Sequence, residues 1–203
     1  MNFNSILKKI DDEPLSKSLP MVLRLSKSIG EFDLEKWVKL ELNGYFNTNP
    51  ALTNEVVVPE FRTVTGQHSD DYGRPLVIKN HELAFVNTTR IRYGVADLER
   101  MLDENFTCSY RDALMSEIIQ NNLNVEVSIF SFHTRQFAGV LSGIKAELCE
   151  RLMAIKSQIE DVQADLASPP QEDVIELKPN FFGLGLNLNT LFRRWQEFQS
   201  KRK

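Results

Sequence analysis

The sequence predicts an α+β domain with an N-terminal helical hairpin, a small mixed β-sheet and a long C-terminal helix. Three observations predict it. The first third carries two helical apolar stripes with clear stop signals. The middle is rich in β-branched runs broken by turn residues. Residues 132–166 then hold one long stripe at helical spacing.

In the first helix, Ser18 is the expected cap, Pro20 falls in the first turn, and Leu19, Val22, Leu23 and Ile29 run as a stripe until Gly30 ends it. The second helix follows with Asp33 as expected cap, Leu34–Leu42 as body and Asn43-Gly44 as a left-handed stop. Residues 55–65 (EVVVPEFRTVT) read as a strand in which Pro59 implies an edge or a bulge, and Gly66 closes it. Leu76–Ile78 and Leu83–Val86 read as short strands, and Val95–Leu102 and Arg111–Gln120 as short helices. From Asn124 to Phe132, strict alternation puts Val125, Val127 and Ile129 on one strand face.

The long stripe runs through Phe137, Leu141, Ile144, Leu148, Leu152, Ile155, Ile159, Val162 and Leu166, with Gly139 and Gly143 in its first turns. One helix packed on a globular core and a self-associating coiled coil both give this pattern, so a homo-oligomer built through this helix is one expectation. Ser168-Pro169-Pro170 stops the helix. Residues 1–167 are therefore expected to be the domain, 168–179 a Pro-rich acidic linker and 180–203 a basic amphipathic extension.

Composition narrows the function classes. Of 203 residues, 42% are hydrophobic and 26% charged, enough apolar content to bury a core. Lys and Arg number 24 against 28 Asp and Glu, a net charge of −4, which argues against a chain devoted to nucleic-acid phosphates. Cys108 and Cys149 form no CxxC pair, so no disulfide framework or zinc knuckle is expected and a reducing cytoplasmic setting fits. The longest run free of Lys, Arg, Asp and Glu, Pro179–Phe192, is shorter than the roughly 18 residues of a membrane span. No long apolar run follows the first lysines, so no secretory signal is expected. Neither a cofactor nor a metal is indicated.

One residue breaks the pattern of its helix. Leu34, Trp37 and Val38 define the apolar face of the second helix, and about 100° per residue places Glu41 near its centre. A carboxylate aimed at a core requires a partner, for which Arg24, Arg62, Arg90 and Arg92 are the candidates. It is either a perturbed acid in a site or half of a buried ion pair.

The run Trp37-Val38-Lys39-Leu40-Glu41-Leu42-Asn43-Gly44-Tyr45, followed by Pro59-Glu60-Phe61-Arg62, resembles the AbiTii domain family of bacterial abortive-infection proteins, whose pattern is W-x-x-x-E-L-x-G-Y and then P-x-Y-R. Phe61 stands where the family has Tyr. The later helix through Leu141, Ile144, Leu148 and Leu152 also resembles the family's long C-terminal helix, so the resemblance spans roughly residues 3–166. It implies a role in anti-phage defence, in which infection triggers arrest or death of the infected cell; it implies no assigned reaction. The matching positions are Trp37, Glu41, Leu42, Gly44, Tyr45, Pro59 and Arg62, with Arg62 as the expected cation for Glu41.

Other constellations are weaker. Arg62 and His68 have the Arg-x(4–6)-His spacing of certain RNases, but Arg62 lies in a β-branched run and Gly66 interrupts, so the helical setting is missing. Glu176-Leu177-Lys178 resembles a nuclease strand end, without the expected preceding strand. The loop with His68, Asp70, Asp71 and Arg74 is a candidate site for a cation or a phosphate, or simply a solvated turn. The tail, with Phe192, Arg193, Arg194 and Trp195, suits a membrane surface, nucleic acid or an acidic partner. The expected function is a binding role in defence, sensing a phage product or restraining a toxic partner. The alternatives are a nuclease-like effector using Glu41, Arg62 and the His68 loop, and a membrane-acting effector using the tail.

Overall fold

The computed structural model of the chain describes residues 3–127 and 129–167; the linker at 168–179 and the extension at 180–203 lie outside the described residues. The chain divides into two compact units, one comprising residues 1–43 with those from 145 onward, the other residues 44–144. The α+β class is as the sequence predicts.

In the first unit, α1 (Phe3–Asp12), α2 (Leu15–Ile29) and α3 (Phe32–Asn43) follow one another. The hairpin of α2 and α3 is present, and Gly30 ends α2 in the left-handed conformation at φ 81°, its N–H bonded to the Ser26 carbonyl. The start of α2 differs from the sequence expectation. Pro14, with φ fixed near the helical value, precedes the helix, and its carbonyl receives the N–H of Ser18, so Ser18 and Pro20 lie inside the helix. Ser18 is buried and its hydroxyl bonds the Leu15 carbonyl at 3.4 Å instead of capping. The helix α1 had no sequence expectation.

The second unit holds short antiparallel strands: β1 (Thr63–Thr65), β2 (Gln67–Ser69), β3 (Pro75–Leu76), β4 (Thr88–Arg90), β5 (Thr107–Tyr110) and β6 (Ile129–His133). β1 pairs with β4, and a separate sheet has the order β3-β2-β6-β5. Gly66 joins β1 to β2 across the two sheets. A side chain there would stand 2.3 Å from the Phe130 ring and 2.6 Å from the Ser131 carbonyl, which is why the junction takes glycine.

Two helices, α4 (Val95–Glu104) and α5 (Ala113–Leu123), match expectation, with Asp112 capping α5 through the Met115 N–H. Three local features differ from it. Only Thr63–Thr65 of the expected strand at 55–65 is extended in a sheet, because Pro59 opens a 3-10 turn over Glu60–Arg62. Leu83–Val86 belongs to a 3-10 helix over His81–Asn87, started by the Asn80 side chain accepting the Glu82 N–H; three residues per turn put Leu83 and Val86 on one buried face. Finally, β6 buries Phe130 and Phe132, the opposite phase from the expected Val125–Val127–Ile129 face. Val127 precedes the strand and instead joins Ile78, Leu83, Val86 and Ile119 in a local core.

The long helix α6 (Phe137–Ala167) begins in the second unit and continues into the first. Phe137, Val140, Ile144, Leu148, Leu152, Ile155 and Ile159 are buried within this single chain. The stripe thus follows the expected spacing, with Val140 taking the place of Leu141. No helix among the described residues is long and apolar enough to cross a membrane.

Candidate functional site

Most of the distinctive sequence motif converges, within the second unit, on one stretch of backbone, Ile91–Tyr93. Gly44 adopts φ 79°, and a Cβ on it would lie 2.4 Å from the Arg92 carbonyl oxygen, so the approach admits only glycine. That approach lets the Tyr45 N–H donate to the same carbonyl at 2.8 Å. Asn49 steadies the turn by donating to the Gly44 carbonyl at 2.7 Å.

Pro59 begins the 3-10 turn that presents Arg62, and the Arg62 N–H bonds the Pro59 carbonyl. The Arg62 side chain is wholly buried. Its Nη1 donates to the carbonyls of Ile91 at 3.0 Å and Tyr93 at 2.9 Å, and its guanidinium lies 4.9 Å from the centre of the Tyr45 ring. The carbonyls of Ile91, Arg92 and Tyr93 are therefore all held by motif donors. Phe61, in the family's Tyr position, packs its ring carbons against Gly143 of α6.

In the first unit, Trp37 and Glu41 are buried on α3, and the Arg151 guanidinium lies 5.2 Å from the centre of the Trp37 ring. Glu41 has no exposed surface, as its place on the apolar face predicts, and it has an interaction partner, as Arg62 does. Of the four candidate cations, Arg62 is the buried one; Arg24, Arg90 and Arg92 are exposed. Leu42 is half-buried. Glu31, at the corner between α2 and α3, escaped the sequence reading. Burial, with a smaller push from the nearby Asp33 carboxylate, raises its pKa from 4.5 to about 7, and its Oε1 meets no hydrogen-bond donor among the described residues.

The segment that the motif clamps forms one wall of a cleft of about 630 Å³ lying entirely in the second unit. Four aromatic side chains, Phe46, Tyr93, Phe106 and Tyr110, line it at 37–39% exposure, above a buried Phe132. Ring contacts hold three of them. Phe46 and Tyr93 meet edge to face at 5.8 Å, and Tyr110 meets Phe132 in the same way at 6.5 Å and donates its hydroxyl to Thr89 at 3.1 Å.

Phe106 is held by a reciprocal pair of bonds: its N–H donates to the Thr134 hydroxyl, which donates to the Phe106 carbonyl. Burial raises the pKa of Tyr110 and of Cys108, so both stay protonated at neutral pH. Arg90 and Arg92 also line the cleft. Arg90 spends its charge on Glu60 and the Val58 carbonyl, whereas Arg92 makes no side-chain hydrogen bond or ion pair among the described residues.

Sequence reasoning named Arg92 only as a partner for Glu41 and missed the aromatic lining. The alternation Arg90-Ile91-Arg92-Tyr93 was a readable signal, but Phe46 and Phe106 reach the cleft only through tertiary structure.

The fold withdraws His68 from the candidate loop and leaves Asp70, Asp71 and Arg74 together along one cleft. His68 is buried on β2, its Nε2 2.8 Å from the Val86 carbonyl and its ring against Phe130. Asp70, Asp71 and Arg74 stay at the surface. Desolvation, the largest single influence on Asp70, pushes its pKa up, but the carboxylate accepts the N–H groups of Tyr72 and Arg74 and the Arg74 Nε, and together these hold it below the usual range. Asp71 pairs with Arg111 at 3.3 Å. The candidate tail residues Phe192, Arg193, Arg194 and Trp195 lie outside the described residues.

A buried polar motif that clamps a backbone segment, next to a half-exposed aromatic cleft, defines a small α+β protein whose most distinctive residues are spent on architecture. The chain belongs to the AbiTii family, whose model matches residues 4–181. The family name points to abortive-infection defence against phage. Comparison with curated proteins and with solved structures finds no match.

Proposed function

We propose that this protein is an anti-phage defence protein of abortive-infection type that acts by macromolecular binding, sensing a phage product or restraining a toxic partner in the bacterial cytoplasm. The observation that carries the reading is the burial of the family's own polar residues. Glu41 and Arg62 have no exposed surface, and Arg62 already donates to two carbonyls of its own chain, so neither presents its charge to a substrate. This counts equally against the nuclease alternative, whose third element, His68, is also buried. Family membership supplies the defence context.

The test is infection of bacteria expressing the full chain at low and at high ratios of phage to cells. Abortive infection protects the culture at the low ratio while cells infected at the high ratio stop growing and release few progeny. Infected cells that survive and divide at the high ratio, or cultures with no protection at either ratio, count against the reading.

A further inference from the structure

We propose that the aromatic cleft of the second unit is a nucleotide-binding site, stacking a nucleobase among Phe46, Tyr93, Phe106 and Tyr110 and holding the attached phosphate on Arg92. Its size, about 630 Å³, falls within the range of small-ligand sites, roughly 300–1,000 Å³. Half-exposed aromatic rings held rigidly from behind offer a stacking platform that any base can use, because every base has a flat π-face. Here the Tyr110 ring is held by Phe132 and by its hydroxyl bond to Thr89, and the Phe46 and Tyr93 rings hold each other, while the Thr134 hydroxyl and Arg62 fix the backbone of Phe106 and Tyr93.

The charge of the cleft selects an anion. The chain as a whole carries an excess of acids, yet among the described residues no carboxylate lines this cleft and two arginines do. Arg90 is neutralised by Glu60, which leaves Arg92 as the uncompensated cation of the lining among the described residues. A guanidinium with its donors free matches a phosphate, which it can bind through two parallel hydrogen bonds. One such cation in an acidic protein fits a single phosphate better than a long polyanion, which needs many phosphate contacts. The ligand is therefore a nucleotide, either free or as the end of a single strand. Nothing in this inference depends on the defence role, and it is tested on the purified protein.

The experiment titrates the full chain with nucleoside monophosphates, with the corresponding nucleosides and with short single-stranded oligonucleotides, following binding by calorimetry. At least one monophosphate is expected to bind, with the nucleoside about tenfold weaker or worse. Arg92→Gln is expected to erase that preference for the phosphate, and Tyr110→Leu to weaken nucleotide and nucleoside alike, each with an unchanged circular dichroism spectrum. A monophosphate binding as tightly as an oligonucleotide identifies the free nucleotide as ligand, whereas much tighter oligonucleotide binding identifies the strand end. No binding of any of the three probes by the folded wild type, or binding that both variants leave unchanged, overturns the proposal.

Discussion

At Glu31, burial beside Asp33 keeps the carboxyl protonated to about pH 7 in the folded chain, against 4.5 when exposed. The folded state then holds a proton that the unfolded chain has lost, so the contribution of Glu31 to stability is fully present below pH 4.5 and is lost as the pH rises toward 7. The loss approaches about 3 kcal/mol, from roughly 1.4 kcal/mol for each unit. Glu31→Gln removes the titration. The variant is expected to match wild type in urea unfolding at pH 5 and to exceed it at pH 8, and a wild type more stable than the variant at pH 8 contradicts this.

The legibility of the sequence at this scale was uneven for a physical reason. Glu41 showed itself because periodicity on a regular helix places a residue by counting. Glu31 sits in a turn, where no period applies and burial depends on what packs above. His68 misled because its polar neighbours Asp70 and Asp71 masked a two-residue alternation that carries it into the sheet.

At the level of elements, the long helix α6 was readable almost whole, since seven-residue spacing over many turns has few other solutions. The strands were not. β4 and β5 are three and four residues of Thr, Arg, Cys, Ser and Tyr, and such short polar runs pair only because the neighbouring strand is already in place. The two glycines of α6 give a contrast that depends only on packing. A Cβ at Gly139 meets open space, while one at Gly143 would stand 2.7 Å from the Phe61 Cβ. Gly139→Ala is expected to stabilise by about 0.5–1 kcal/mol through helix propensity. Gly143→Ala is expected to destabilise by about 1–3 kcal/mol through overpacking. Thermal unfolding of both variants shows whether the signs are opposite; two shifts in the same direction would falsify the packing described for Phe61.

In the whole molecule, framework and contact fall on different residues. Gly44, Tyr45, Pro59 and Arg62 hold the Ile91–Tyr93 segment, and that segment presents Arg92 and Tyr93 to the cleft. The family pattern was legible as a string of residues, yet its purpose was not, because the carbonyls lie 29 and 31 residues from Arg62 and further still from Tyr45 in sequence. The motif serves the protein through its fold. The most direct test measures plaque formation on bacteria carrying wild type, Glu41→Gln or Arg62→Ala, with the folded protein in each strain quantified at the same time. Protection is expected to fall only in proportion to folded protein, by a large factor for Arg62→Ala, which leaves one buried and one part-buried carbonyl without their donor at a cost of about 2–4 kcal/mol. A variant that remains folded at the wild-type level and yet no longer protects would show that Glu41 or Arg62 acts directly, and would contradict the claim.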